Sequence, residues 1–96
     1  DLLEIRYLIF MSHLIEFYGE ECPHCIKMKP MIENLEKELD VKVDSLEVWH
    51  NDENLKLLET HDKGFCGGVP FLINTQTGKW ICGEATEEEL KAWAKE

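Results

Sequence analysis

Apolar positions along this chain change period several times, and each change marks an element. His13 to Tyr18 is a short apolar run with one acid, Glu16, inside it, and it predicts a central β-strand. From Ile26 the period lengthens. Met28, Met31, Ile32, Leu35 and Leu39 recur at helical spacing while Glu33, Glu36, Lys37 and Glu38 take the other side, so a helix is expected to Leu39. Pro30 lacks the N–H of the helical ladder and crowds the preceding turn, so it should kink this helix without ending it. Alternation returns over Val41 to Trp49 through Val41, Val43, Leu46 and Val48, with an irregularity at Asp44-Ser45, and reads as a second strand.

Asn51 or Asp52 can cap a following helix, whose buried side is expected from Leu55, Leu57 and Leu58 and which stops near Lys63-Gly64. Val69 to Asn74 reads as a third strand, Thr75-Gln76-Thr77-Gly78 as a hairpin turn and Lys79 to Cys82 as a fourth strand. Thr86 and Glu89 have the spacing of a capping box, which opens a last helix through Leu90, Ala92 and Trp93. The order is βαβαββα. Strands joined through a helix must pair in parallel by a right-handed crossover, whereas the last two form a hairpin. The fold class is therefore α/β, a mixed four-stranded sheet flanked by helices.

Length and composition narrow this further. Ninety-six residues with no low-complexity linker fit one domain, and 44% hydrophobic with 31% charged residues describe a soluble globular chain. No apolar stretch approaches the roughly 20 residues a membrane span needs. Twenty acidic against ten basic residues give a formal charge of −10, which repels phosphate backbones and anionic lipid surfaces. Nucleic-acid and membrane partners are thus disfavoured. Residues 1–10 are rich in apolar side chains, but Asp1 and Glu4 spoil a basic signal region and no small-residue cleavage site follows. They are read as a non-native leader or an extra N-terminal segment, with the domain over 11–96 and Met11-Ser12 resembling a natural start. With no export signal a cytoplasmic, monomeric protein is expected, its four cysteines serving as catalytic or buried thiols rather than as a framework.

Candidate chemistry concentrates at Cys22-Pro23-His24-Cys25, between Phe17-Tyr18-Gly19 and the first helix. A cysteine in the first turn of a helix has its thiolate stabilised by unpaired backbone N–H groups and the positive end of the dipole. A second cysteine three residues on lies one turn deeper on the same face, where it can displace a bound partner by closing an internal disulfide. Pro23 suits the first helical position, and His24 can add charge or a donor beside the sulfurs.

Several marks together resemble the thioredoxin superfamily from Met11 to Glu96. Glu16-Phe17-Tyr18-Gly19 followed by Cys-x-x-Cys is similar to the catalytic domains of protein disulfide isomerase and thioredoxin. Pro30 falls five residues after Cys25, where thioredoxins kink their active-site helix; Val69-Pro70 resembles their cis-proline loop, and Gly83 the glycine after their last strand. The Pro-His dipeptide is that of the periplasmic oxidase DsbA, whose large helical insertion is absent. The resemblance implies Cys22 as nucleophile, Cys25 as resolving thiol and Glu16, desolvated in a central strand, as the group exchanging the Cys25 proton. It also implies that Val69, Pro70 and Gly83 line a substrate-binding edge, with a cis bond at Pro70 leaving the Val69 backbone free to pair with an extended segment. One departure matters: Glu21, preceded by Glu20, stands where thioredoxins usually carry tryptophan, so these carboxylates oppose thiolate formation and favour basic partners.

Cys66 and Cys82 are expected to approach the same side. They read foremost as buried reduced residues, otherwise as a second, regulatory disulfide or a dimer contact, or as half of a metal site with Cys22 and Cys25. His13, His50 and His61 are scattered and read as surface or strand-end residues; Trp49, Trp80 and Trp93 read as packing residues. The leading function is a thiol–disulfide oxidoreductase acting on protein disulfides. Its redox-active group would be the Cys22–Cys25 disulfide with no other cofactor and no metal, and its electrons would come from a reductase or glutathione. Against it stand a non-catalytic, redox-responsive peptide-binding module, the four-cysteine metal site, and glutaredoxin-type chemistry as a subclass.

Overall fold

Each predicted element is present in the computed structural model, which describes residues 13–95. The readings made for residues 1–10 lie outside that range. In chain order the elements are β1 (Leu14–Tyr18), α1 (Pro23–Leu39), β2 (Val43–Glu47), α2 (Asp52–Asp62), β3 (Phe71–Asn74), β4 (Trp80–Cys82) and α3 (Glu87–Ala94). The sheet runs β2-β1-β3-β4, with β1 parallel to β2 and antiparallel to β3, and β3 antiparallel to β4. β1 is thus central, paired on both edges.

Both faces of the sheet are covered, which decides how its strands read. Leu14, Val43 and Leu72 pack with Met28, Ile32 and Leu35 of α1 and Leu90, Trp93 and Ala94 of α3. Ile15, Phe17, Val48, Phe71 and Ile73 form a second cluster on the other face with Leu58 of α2. Phe17, Phe71, Leu14 and Leu72 are fully buried, and each such side chain contributes about 1.5–3 kcal/mol of transfer free energy. The irregularity at Asp44-Ser45 follows from the two faces: Val43 faces α1 and α3, whereas Leu46 and Val48 turn toward α2. β2 is also shorter than expected, and β3 starts at Phe71, after Pro70.

Helix ends obey their local chemistry. Asn51 caps α2 by accepting the Asn54 N–H at 3.0 Å, and Lys63 closes it in the left-handed region at φ 52°. Thr86 and Glu89 form the reciprocal capping box of α3. α1 runs through Pro30 to Leu39, and its Glu36 carboxylate accepts the Val43 N–H at 2.9 Å, tying helix to strand. One expectation fails here. In α2 only Leu58 of the three leucines is buried, Leu55 and Leu57 being 38% and 39% exposed, because one thin stripe suffices for a helix lying alone on its face. In α3 the inner face is Leu90, Trp93 and Ala94, with Ala92 outside.

Candidate functional site

The end of central β1 delivers the chain into the turn that opens α1. Cys22 is the N-cap, extended at φ −75° and ψ 114°, with Pro23 at the first helical position where its missing N–H leaves nothing unpaired. The Cys22 N–H donates to the Gly19 carbonyl at 3.0 Å, and the Cys22 carbonyl accepts from Ile26 at 3.0 Å. In the capping role usually played by an oxygen, the Cys22 sulfur accepts the Cys25 N–H at 3.3 Å. Both thiols are free, and each is 3% exposed. Burial pushes Cys25 up to about 12, with the Cys22 sulfur and the charge of Glu16 adding to it and the Gly19 backbone opposing. Cys25 therefore holds its proton at neutral pH.

Glu16, 5% exposed, is near enough for its charge to act on Cys25. Burial raises its pKa above the ordinary carboxyl range, the Ser45 hydroxyl, donating at 2.9 Å, pulls it back, Glu36 adds to the rise and Lys29 opposes it. On the open side, the Cys22 thiol points at the Val69 carbonyl across 4.0 Å. The Val69-Pro70 bond is cis, and the Pro70 carbonyl accepts the Gly83 N–H at 2.8 Å, with Gly83 itself at φ 88°. Cys22, Val69, Pro70 and Gly83, far apart in sequence, thus form one linked patch.

His24 is placed differently from expectation. Cys22 and Cys25 take the inner face of the first turn, so the residue between them turns outward. The His24 ring is 66% exposed and its Nδ1 meets Glu84 Oε1 at 2.6 Å, while Lys27 Nζ lies 3.7 Å from the other Glu84 oxygen. This pairing lowers the Glu84 pKa, the His24 contact first. No hydrogen bond joins His24 to either sulfur among the described residues.

Two neighbours of the site escaped the sequence reading. His50, taken for a scattered surface residue, hydrogen-bonds Glu21 through Nε2, at 2.7 Å to Oε2 and closer still to Oε1. The Glu21 hydrogen bond, and after it the Glu21 charge, raise the His50 pKa and favour its cationic form beside the carboxylates that precede Cys22. Glu47 fastens the same corner, accepting the Glu20 N–H at 2.8 Å and the His50 N–H at 2.7 Å. Trp49, read as packing, lies on the active-site turn: a Cβ added to Gly19 would fall 2.3 Å from its ring. Glycine is thus favoured there by close approach, since any side chain must displace the indole. Neither partnership leaves a local signal, since each forms across the β1–β2 crossover.

Cys66 and Cys82 correct the foremost reading of them. They are bonded to each other, with S–S 2.03 Å and Cα–Cα 5.4 Å, and Cys82 is exposed while Cys66 is half-buried. Nor can they serve in a four-cysteine metal site while their sulfurs are paired. Among the described residues Glu20, Glu21 and His50 bring ligand atoms within 4.8 Å of one another, but all three are exposed and His50 is engaged by Glu21.

A free Cys-x-x-Cys at a helix N-terminus, facing a cis-proline loop on a mixed four-stranded sheet, defines a protein of the thioredoxin fold. The chain belongs to the thioredoxin family, whose model matches residues 10–96. Membership carries thiol–disulfide oxidoreductase activity in general terms. A thioredoxin mutant from Halobacterium salinarum is 26% identical, with TM-score 0.67 over 86% of this chain and 74% of that one. A glutaredoxin from Archaeoglobus fulgidus superposes with TM-score 0.65 at 20% identity over 94% of each chain. Comparison with curated proteins finds no match. No helix among the described residues is long and apolar enough to cross a membrane.

Proposed function

We propose that this protein is an oxidoreductase of protein disulfides in which Cys22 attacks, Cys25 resolves and Glu16 takes the resolving proton. The observation that carries this reading is the asymmetry of two equally buried thiols: the Cys22 sulfur caps a helix and faces the Val69 carbonyl, while Cys25 is held protonated. In the reducing direction an extended substrate segment pairs with the Val69 backbone and brings its disulfide to Cys22. The Cys22 thiolate bonds to one substrate sulfur and the other leaves as a thiolate. Cys25 then gives its proton to Glu16 and bonds to Cys22, releasing the second substrate sulfur and leaving a Cys22–Cys25 disulfide. A reductase or glutathione returns the two electrons, and the residues themselves need no further cofactor. Glu20 and Glu21 beside the site favour substrates with basic side chains near their disulfide.

Insulin reduction with dithiothreitol as electron source tests the assignment. Wild type is expected to accelerate precipitation of the insulin B chain, and Cys22→Ser to fall to the uncatalysed rate. Equal rates for the two proteins contradict it.

A further inference from the structure

We propose that Cys66–Cys82 is a second redox site, opened by thiols from solvent, and that its opening releases the loop carrying Val69. The loop from Gly64 to Pro70 has little structure of its own. Side chains at Gly64, Gly67 and Gly68 would meet nothing within 4 Å, and Gly64 and Gly67 stand at φ 84° and 74°. Its course is set by anchors. At one end the buried Asp62 carboxylate accepts the Cys66 and Gly67 N–H groups at 2.6 and 2.8 Å. At the other, Gly83 donates to the Pro70 carbonyl. Between them the disulfide fastens the loop to β4, an edge strand of three residues.

Two further contacts support the disulfide: Cys66 and Val69 pack, partly buried, against the cluster around Phe17 and Phe71, and one aromatic pair joins the loop to β4. Phe65 stacks on Trp80 with centroids 5.1 Å apart and planes at 9°, but the two residues are 55% and 43% exposed. Without the covalent link, two half-wet rings hold the middle of the loop to β4. Val69, three residues beyond Cys66, then loses the fixed position that sets its carbonyl 4.0 Å from the Cys22 sulfur.

Accessibility singles this bond out for exchange. Cys82 is exposed, whereas Cys22 and Cys25 are each 3% exposed. A small-molecule thiolate attacks the Cys82 sulfur; a mixed disulfide forms there, the bond to Cys66 breaks, and Cys66 leaves as a thiolate that takes a proton from water. A second thiol displaces Cys82 and departs as the oxidised disulfide of the reagent. The two thiols supply the two electrons. That the freed loop docks substrate rests on the proposed function, but the opening itself does not.

The test uses the Cys22→Ser/Cys25→Ser chain, so its outcome is independent of insulin turnover. This protein is equilibrated in glutathione buffers of rising reducing strength, and alkylation of Cys66 and Cys82 is read by mass spectrometry alongside amide exchange. Both cysteines should become alkylated while far-ultraviolet circular dichroism stays native. Exchange at Gly67, Gly68 and Val69 should rise about tenfold or more, with β1 and α1 within about twofold. A Cys66→Ser/Cys82→Ser variant should show the same loop exchange without reductant. Alkylation only on global unfolding, or full alkylation with loop exchange unchanged, overturns the proposal.

Discussion

Glu16 carries opposite consequences for stability and for chemistry. Its folded pKa is raised, so the native state carries no penalty below the ordinary carboxyl range and is destabilised as pH rises through the raised value and the buried group ionises. Glu16→Gln keeps an acceptor for the Ser45 hydroxyl and removes that charge. The variant is expected to be more stable than wild type above neutral pH, with the difference vanishing below the ordinary carboxyl range, as urea midpoints across pH will show. The same change should slow Cys25 resolution by about 10²-fold, the lower end of what a positioned proton acceptor contributes. A mixed disulfide resolved at the wild-type rate would remove Glu16 from the mechanism. The placement of Cys22, Cys25 and Glu16 was legible in sequence because each position follows from its own strand or helix turn. His24 was not, since its ring is claimed by Glu84, sixty residues away.

At the scale of elements, the turn between β1 and α1 positions Cys22, and Trp49 on the β2–α2 connection braces it through Gly19. In Gly19→Ala the new methyl must displace the indole, which is 51% exposed and free to swing outward. A loss of about 1–3 kcal/mol is expected from this overpacking, with a red shift in tryptophan emission; unchanged stability and emission would show that the ring does not brace the turn. The elements themselves were readable from period and caps, because both are local: Thr86 with Glu89 and Asn51 with Asn54 need no tertiary partner. What misled was which side chains go inside. A sheet covered on both faces buries Val43 and Val48 on opposite sides, so the alternation of β2 does not mark one inner face. Leu57 looked like core by composition but falls outside the stripe that α2 presents.

Over the whole molecule, a sheet between two helical layers brings the end of β1, the Val69 loop and Gly83 together, and that convergence was what the family resemblance implied. The pairings that join distant segments did not follow from it. Cys66 with Cys82, and Glu21 with His50, depend on where loops come to rest after the sheet is assembled. Sequence therefore offered several roles for the second cysteine pair, and the structure commits it to a bond that fastens the Val69 loop to β4. The central claim is that Cys22 and Cys25 divide attack from resolution, and covalent trapping tests it most directly. Cys25→Ser, mixed with a disulfide-bonded substrate, should accumulate a mixed disulfide that peptide mapping places on Cys22, while Cys22→Ser accumulates none. A trapped adduct on any other cysteine, or equal trapping by both variants, would contradict the account.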